Sequence, residues 1–205
     1  MTSTFRPFGL RASRVLGGAP NSMATNRYPI ANSYGAAIYK GDIVDVSLGL
    51  LVSRGTTNVS VNPGGIGVFN GAYFISEHTK APVWSNYFPV STSSAGVMEG
   101  LSTPVGLVYD NPNMIYVVQA DASLSLGDVG HFFNTSATTG DTNSGRSGLH
   151  LNRETKNVVG ASADIQVIGL HDAPGNVWLD AFTHVEVRLM NHPFTINAGS
   201  SITTS

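Results

Sequence analysis

The chain of 205 residues contains no cysteine. That absence removes disulfide frameworks, thiolate zinc sites, iron–sulfur clusters and thiol nucleophiles together. Charge is scarce as well, since Lys, Arg, Asp and Glu make up 12% of the chain, about half of the ~25% usual in soluble domains. Only four Glu, three Lys and two Gln are present, too few straight-chain polar residues to furnish the wet faces of several amphipathic helices. A helical bundle is excluded on that ground. No run approaches the ~20 apolar residues of a membrane span, because even Ile43 to Val52 is interrupted by Asp45 and Gly49. The opening residues, with Arg6, Arg11 and Arg14 spread through them, lack the apolar block of a secretory signal.

In place of charge there are 23 Gly, 22 Ser and 17 Thr. The hydrophobic fraction of 41% suffices for one sizeable core or two small ones. The formal net charge of -2 conceals an asymmetry: residues 1–41 hold Arg6, Arg11, Arg14, Arg27 and Lys40 with no acid, so they carry +5 and the remainder carries -7. Pro7, Gly9, Gly17, Gly18 and Pro20 interrupt any period in residues 1–27. This stretch reads as an extended, irregular arm, either docked on the body or a neighbouring subunit, or frayed in solvent. Five dispersed cations fall short of a nucleic-acid-binding domain.

From residue 36 onward short apolar runs end in turns. Ala36 to Tyr39 meets Lys40-Gly41-Asp42 before Ile43 to Leu48, Gly65 to Phe69 meets Asn70-Gly71 before Tyr73 to Ile75, and Val105 to Tyr109 meets Asp110-Asn111-Pro112-Asn113 before Met114 to Gln119. Each reads as a hairpin. Val185, Val187 and Leu189 alternate with His184, Glu186 and Arg188, the period of a strand with one wet face, and Ile165, Val167 and Gly169 repeat it with less contrast. Asn134 to Ser147, nearly all small and polar, reads as an exposed loop. Pro82 to Leu101 reads as a second loop, in which Trp84, Tyr87 and Phe88 either plug the body or anchor a partner. The fold expected is all-β: a β-sandwich or barrel (jelly-roll-like) body over 28–197, behind an arm over 1–27 and before a polar tail over 198–205. If the body has two sub-lobes, they divide near 82–102.

Catalytic signatures are sparse. Gly145-Arg146-Ser147-Gly148-Leu149 lacks the second glycine of a nucleophile elbow. Gly64-Gly65-Ile66-Gly67 followed by Gly71 has the wrong spacing and context for dinucleotide binding. His171 with Asp172, or Asp180 with His184, supplies ligand types for a metal but matches no known ligand spacing. His192, after the last strand, reads as a residue that closes that strand by hydrogen bonding. The Asn58-Val59-Ser60 and Asn134-Thr135-Ser136 triplets are chance matches in so Asn- and Ser-rich a chain. No enzyme, cofactor or metal is expected.

In order along the chain, Phe5-Arg6-Pro7, Gly18-Ala19-Pro20, Tyr28-Pro29-Ile30, Tyr34-Gly35-Ala36-Ala37-Ile38-Tyr39-Lys40-Gly41-Asp42 and Gly67-Val68-Phe69-Asn70-Gly71 form a recurring series. It continues with Asp110-Asn111-Pro112-Asn113, Val118-Gln119-Ala120-Asp121, Gly145-Arg146-Ser147-Gly148, Ile168-Gly169-Leu170, Val185-Glu186-Val187 and Asn191-His192. This series resembles a family of tailed-bacteriophage virion proteins described as head decoration, cement or capsid-stabilising proteins. The likeness spans nearly the whole chain and departs at Asp110-Asn111, where the family more often has two acids. The resemblance implies a structural role without catalysis and a place on the exterior of a capsid, assembled in the host cytoplasm. Its implied partners are the major capsid protein and further copies of itself, a trimer by analogy, with no nucleic acid and no membrane.

Within that picture Arg6, Arg11, Arg14 and Arg27 are the expected arm contacts to capsid or neighbouring subunits, and Trp84, Tyr87 and Phe88 the candidate partner anchors. Removing residues 1–27 is then expected to leave a folded body that binds capsids poorly. Two other roles stay open: another virion component, such as a tail or fibre-associated β module or a minor shell subunit, and a carbohydrate-binding module with Trp84, Tyr87 and Trp178 as its sugar platform.

Overall fold

The computed structural model describes residues 4–17, 24–54, 65–90, 103–156 and 163–195. The polar tail, the segment 91–102 at the expected sub-lobe division, Gly18-Ala19-Pro20, Asn58-Val59-Ser60 and Gly64 lie outside them. In chain order the strands are β1 (Arg11–Val15), β2 (Asn26–Pro29), β3 (Ile38–Tyr39), β4 (Ile43–Ser47) and β5 (Leu50–Ser53). Then come β6 (Gly67–Ile75), β7 (Pro82–Ser85), β8 (Tyr87–Phe88), β9 (Val105–Tyr109) and β10 (Met114–Gln119). The last five are β11 (Phe132–Phe133), β12 (Thr135–Asp141), β13 (Arg146–Leu151), β14 (Ile165–Leu170) and β15 (His184–Leu189). Two short 3₁₀ turns, Leu126–Asp128 and Arg153–Thr155, are the helical elements among the described residues. The protein is all-β.

A five-stranded sheet has the order β1-β10-β15-β14-β11, and a six-stranded sheet has the order β2-β9-β6-β4-β5 with β7 added beside β6. Two small ribbons, β12-β13 and β3-β8, complete the fold. Alternation along the strands explains how these layers stack, because neighbouring side chains in a strand point to opposite faces. On β4 and β6, Ile43 and Val68 face one way and join the core built on the five-stranded sheet, with Tyr116, Phe133, Leu151 and Val187. Val44 and Phe69 face the other way into a second core with Ile30, Ile38, Leu51, Phe88 and Val108. The six-stranded sheet is therefore covered on both faces. Strand β10 is buried at all of its positions, which accounts for its unbroken apolar run, Met114-Ile115-Tyr116-Val117-Val118.

The strands expected from the sequence form, but the three expected hairpins do not. Asp42 N–H does donate to Tyr39 O across the Lys40-Gly41 turn (2.9 Å), yet β3 pairs with β8 while β4 pairs with β5 and β6. The hairpin at this point is β4-β5, turned at Leu48-Gly49, both with positive φ (51° and 82°), a primed turn that matches strand twist. Asn70-Gly71 is no turn. It lies inside the continuous strand β6, where the register against β9 slips between Phe69 and Gly71. Gly71 has φ +152°, and a Cβ on it would stand 2.1 Å from Trp84 Cη2. The glycine thus serves a bulge and lets an indole ring cross the backbone. Asp110-Asn111-Pro112-Asn113 is a turn, with Met114 N–H donating to Asn111 O (3.0 Å), but it carries the chain from one large sheet to the other, since β9 pairs with β2 and β6 and β10 with β1 and β15.

Asn134 to Ser147 is not an open loop. Most of it belongs to the antiparallel ribbon β12-β13, paired from Thr135 opposite Leu151 to Asp141 opposite Arg146 with a register slip between Thr138 and Asp141. Its Thr-rich composition suits a strand with exposed faces as well as it suits a loop. The N-terminal segment is more ordered than an irregular arm: β1 is the edge strand beside β10, and Leu10 and Val15 are part of the first core. Deleting residues 1–27 therefore removes core side chains along with surface cations.

Candidate functional site

Four separate pieces of chain meet at the Lys40-Gly41-Asp42 turn. Lys40 N–H reaches both Asn86 O and Gly145 O (2.9 Å each), Lys40 O accepts from Ser147 N–H (2.9 Å), Gly41 O accepts from Leu10 N–H (2.9 Å) and Gly41 N–H donates to Phe69 O (2.8 Å). The N-terminal strand approaches so closely because Gly9 has no side chain: a Cβ there would stand 2.8 Å from both Gly41 Cα and Ser147 Cβ. Beneath the turn the Asp42 carboxylate is buried. Its Oδ1 accepts from Ser147 Oγ (2.5 Å) and its Oδ2 from Tyr39 N–H (2.7 Å), and Ser147 Oγ also accepts from Leu149 N–H (2.9 Å). Burial pushes the Asp42 carboxyl above its ordinary range, against the lowering effect of these hydrogen bonds.

Beside this knot a cleft of about 440 Å³ opens between the N-terminal strand, the turn and the two large sheets. Phe8, Leu10, Ala12, Phe69 and Tyr109 give it apolar walls, and Arg11, Lys40 and Arg146 give it three cations. Lys40 and Arg146 are neighbours through the parallel bridge between their backbones. Among the described residues no acidic side chain lines the cleft. Among the described residues the ion pairs are Arg14–Glu186, Arg54–Asp164, Lys80–Glu77 and Lys156–Asp128, so none of the three cleft cations has an acid within 4.0 Å. The Arg11 guanidinium lies 5.6 Å from the centroid of the Phe8 ring, and its Nη2 is 3.5 Å from His171 Nε2.

The N-terminal segment is fastened on the far side of Phe8 as well. Gln119 Oε1 accepts from the Arg6 N–H (2.8 Å), and Gln119 Nε2 donates to Thr4 O (3.0 Å) and lies 3.2 Å from His184 Nε2. Phe8 meets the His184 ring edge-on at 5.5 Å. Burial, then the neighbouring His171 and Arg11, push the His184 pKa below its ordinary value, with Asp180 opposing. Ser147 is not set up as a nucleophile, because its hydroxyl proton goes to Asp42 and the nearby His150 Nδ1 faces Gly148 O at 3.1 Å. Among the described residues no three His, Asp or Glu side chains lie together as a metal-binding group.

The arginines singled out in the sequence go to different places. Arg11 lines the cleft. Arg14 forms an ion pair at 2.7 Å with Glu186 of the same chain: β1 lies in the same sheet as β15, so the carboxylate is at hand. Arg6 and Arg27 are exposed. Among the aromatics, Phe88 is fully buried in the second core and is a plug, not a partner anchor. Tyr87 is half-buried and stacks on Tyr39 at 5.7 Å, whereas Trp84 is 44% exposed and pairs across strands with the exposed Tyr73 at 4.9 Å. Trp178 is partly buried and packs against the first core.

Lys40 and Arg146 sit inside the Tyr34 to Asp42 and Gly145 to Gly148 motifs, but nothing local in the sequence says that the two segments touch. No family model, curated protein or solved structure matches this chain.

Proposed function

We propose that this chain is a structural virion protein that binds the outside of a tailed-phage capsid and stabilises the shell by bridging neighbouring capsomers. One observation carries the reading. Pieces of the sequence series that resembles phage head decoration proteins, and that lie far apart in the chain, converge on one knot and one cleft. The stretch after Phe5-Arg6-Pro7 supplies Phe8 and Gly9, Tyr34 to Asp42 supplies Lys40, Gly67 to Gly71 supplies Phe69, and Gly145 to Gly148 supplies Arg146 and Ser147. A docking protein needs only an ordinary interface, ~1,200 to 2,000 Å² in total, because a closed oligomer that touches several capsomers multiplies modest affinities. The partners in this reading are the major capsid protein and further copies of the chain, taken as a trimer.

Fractionation of assembled particles tests it. A decoration protein copurifies at high copy number with heads that lack tails, and its native mass is three times that of the chain. Recovery only in tail fractions would instead favour a tail or fibre-associated module. The exposed Tyr73–Trp84 pair favours a second reading, a glycan-binding surface, since two accessible aromatic faces can stack on sugar rings. Quenching or shift of the Trp84 emission by soluble oligosaccharides, abolished in Trp84→Ala, checks that reading.

A further inference from the structure

Three cations that share one concave site repel one another, and apolar walls concentrate the field they produce. The two acids closest in sequence form no ion pair with these cations. Asp42 is turned inward to Ser147 and Tyr39 N–H, and Asp141, opposite Arg146 in the ribbon, accepts from Asn143 N–H (2.9 Å) and Ser144. The positive charge of the exposed Arg11 and Arg146 and the half-buried Lys40 is thus open to an anionic partner. Its chemistry is narrowed by the backbone, since sites for free phosphate commonly present unpaired N–H groups. At this turn the N–H groups of Leu10, Lys40, Gly41 and Ser147 all donate to carbonyl oxygens. Recognition is left to the side chains: Arg11, Lys40 and Arg146 for charge, Phe8 and Tyr109 for apolar contact. A carboxylate flanked by apolar side chains meets both demands, and a volume of about 440 Å³ has room for a few side chains.

We propose that the cleft receives an acidic segment of the protein on which this chain docks, with Asp or Glu carboxylates seated among Arg11, Lys40 and Arg146 and apolar neighbours against Phe8 and Tyr109. The identity of that partner as a capsid protein rests on the function proposed above. The chemistry of the cleft does not.

The experiment has two arms, both with the full-length chain. In the first, a blocked Glu-Phe-Glu-Leu-Glu peptide and, separately, inorganic phosphate are titrated into the wild type, into Lys40→Gln/Arg146→Gln and into Lys80→Gln/Arg153→Gln, which loses the same charge elsewhere. The peptide is expected to bind the wild type and the control alike and to weaken at high salt. The cleft variant is expected to bind about tenfold more weakly for each cation removed, as for lost charge-assisted hydrogen bonds. Unchanged thermal melting of the variant shows that it is folded. Equal peptide binding by all three proteins, or binding of phosphate in preference to peptide, overturns the proposal.

In the second arm, bare phage heads are mixed with the wild type and the cleft variant. Heads that take up the wild type and not the variant support both the cleft and the capsid reading. Heads that take up both equally overturn the cleft as the capsid contact and leave the function standing. Heads that take up neither overturn the function, while the peptide result still decides what the cleft binds.

Discussion

Gly9 shows how much one residue can decide. It adopts φ +77°, a left-handed conformation that L side chains rarely take, and its Cα side faces Gly41 and Ser147 at contact distance. Gly9→Ala therefore carries two penalties, backbone strain of order 1–3 kcal/mol and overpacking of similar size. The expected loss is about 2 kcal/mol or more, read as a lower urea midpoint at unchanged slope. A midpoint equal to that of the wild type would mean the N-terminal strand does not seat against the turn as described. In the sequence Gly9 was visible only as a breaker of helical period. Its actual role, a close approach between segments about thirty residues apart, depends on where Gly41 lies in space.

At the scale of elements, β1 divides its contributions unevenly. The Arg14–Glu186 pair joins β1 to β15, but the Arg14 side chain is 49% exposed, and exposed pairs contribute only ~0 to 1 kcal/mol. Leu10 and Val15, by contrast, are buried in the first core, and full burial of such side chains is worth ~1.5–3 kcal/mol each. Arg14→Ala is expected to shift the melting temperature little, whereas removal of residues 1–15 lowers it by many degrees or prevents folding. A truncated chain that melts like the wild type would return β1 to the status of a detachable arm. Strand positions were legible beforehand at β9, β10, β14 and β15, because alternation or a continuous apolar run is written into consecutive residues. Strand partners were not, since pairing depends on which edges meet after the chain has crossed between sheets. The Thr-rich β12-β13 ribbon was missed for a related reason: without an apolar face, its composition does not separate strand from loop.

Across the whole molecule, the N-terminal segment, the cleft and His184 form one connected region, and pH acts on it. Burial first, then His171 and Arg11, hold the His184 pKa in the folded protein below the ordinary 6.5. The unfolded chain then binds more protons than the folded one in mild acid. The stabilisation is fully present above about pH 6.5 and is lost as pH falls through the depressed folded value. Protonation adds positive charge beside Arg11 and disturbs the contacts of His184 with Gln119 and Phe8. The melting temperature is expected to fall between pH 7 and pH 5, by less in His184→Gln than in the wild type. Equal acid sensitivity in the two proteins would assign the effect to another group. Arg11 was identifiable from sequence as a cation in need of a partner. That it shares a cleft with Lys40 and Arg146 was not, because Arg146 comes from a segment more than a hundred residues from the other two and Lys40 from a separate turn.

Composition alone determined that this chain is all-β. Helices need a supply of Glu, Lys and Gln for their wet faces, and short apolar runs with turn residues between them can bury themselves only as strands. The low charge, absent cysteine and basic beginning were equally fixed at that level. Tertiary structure alone decided which strands pair, that the six-stranded sheet is covered on both faces, and that the basic beginning splits into a core-bearing edge strand, an internal ion pair and one wall of a cleft. The physical reason is range. Periodicity and turn chemistry act over a few residues, whereas pairing, burial and the gathering of like charges are set by contacts between residues far apart in the chain.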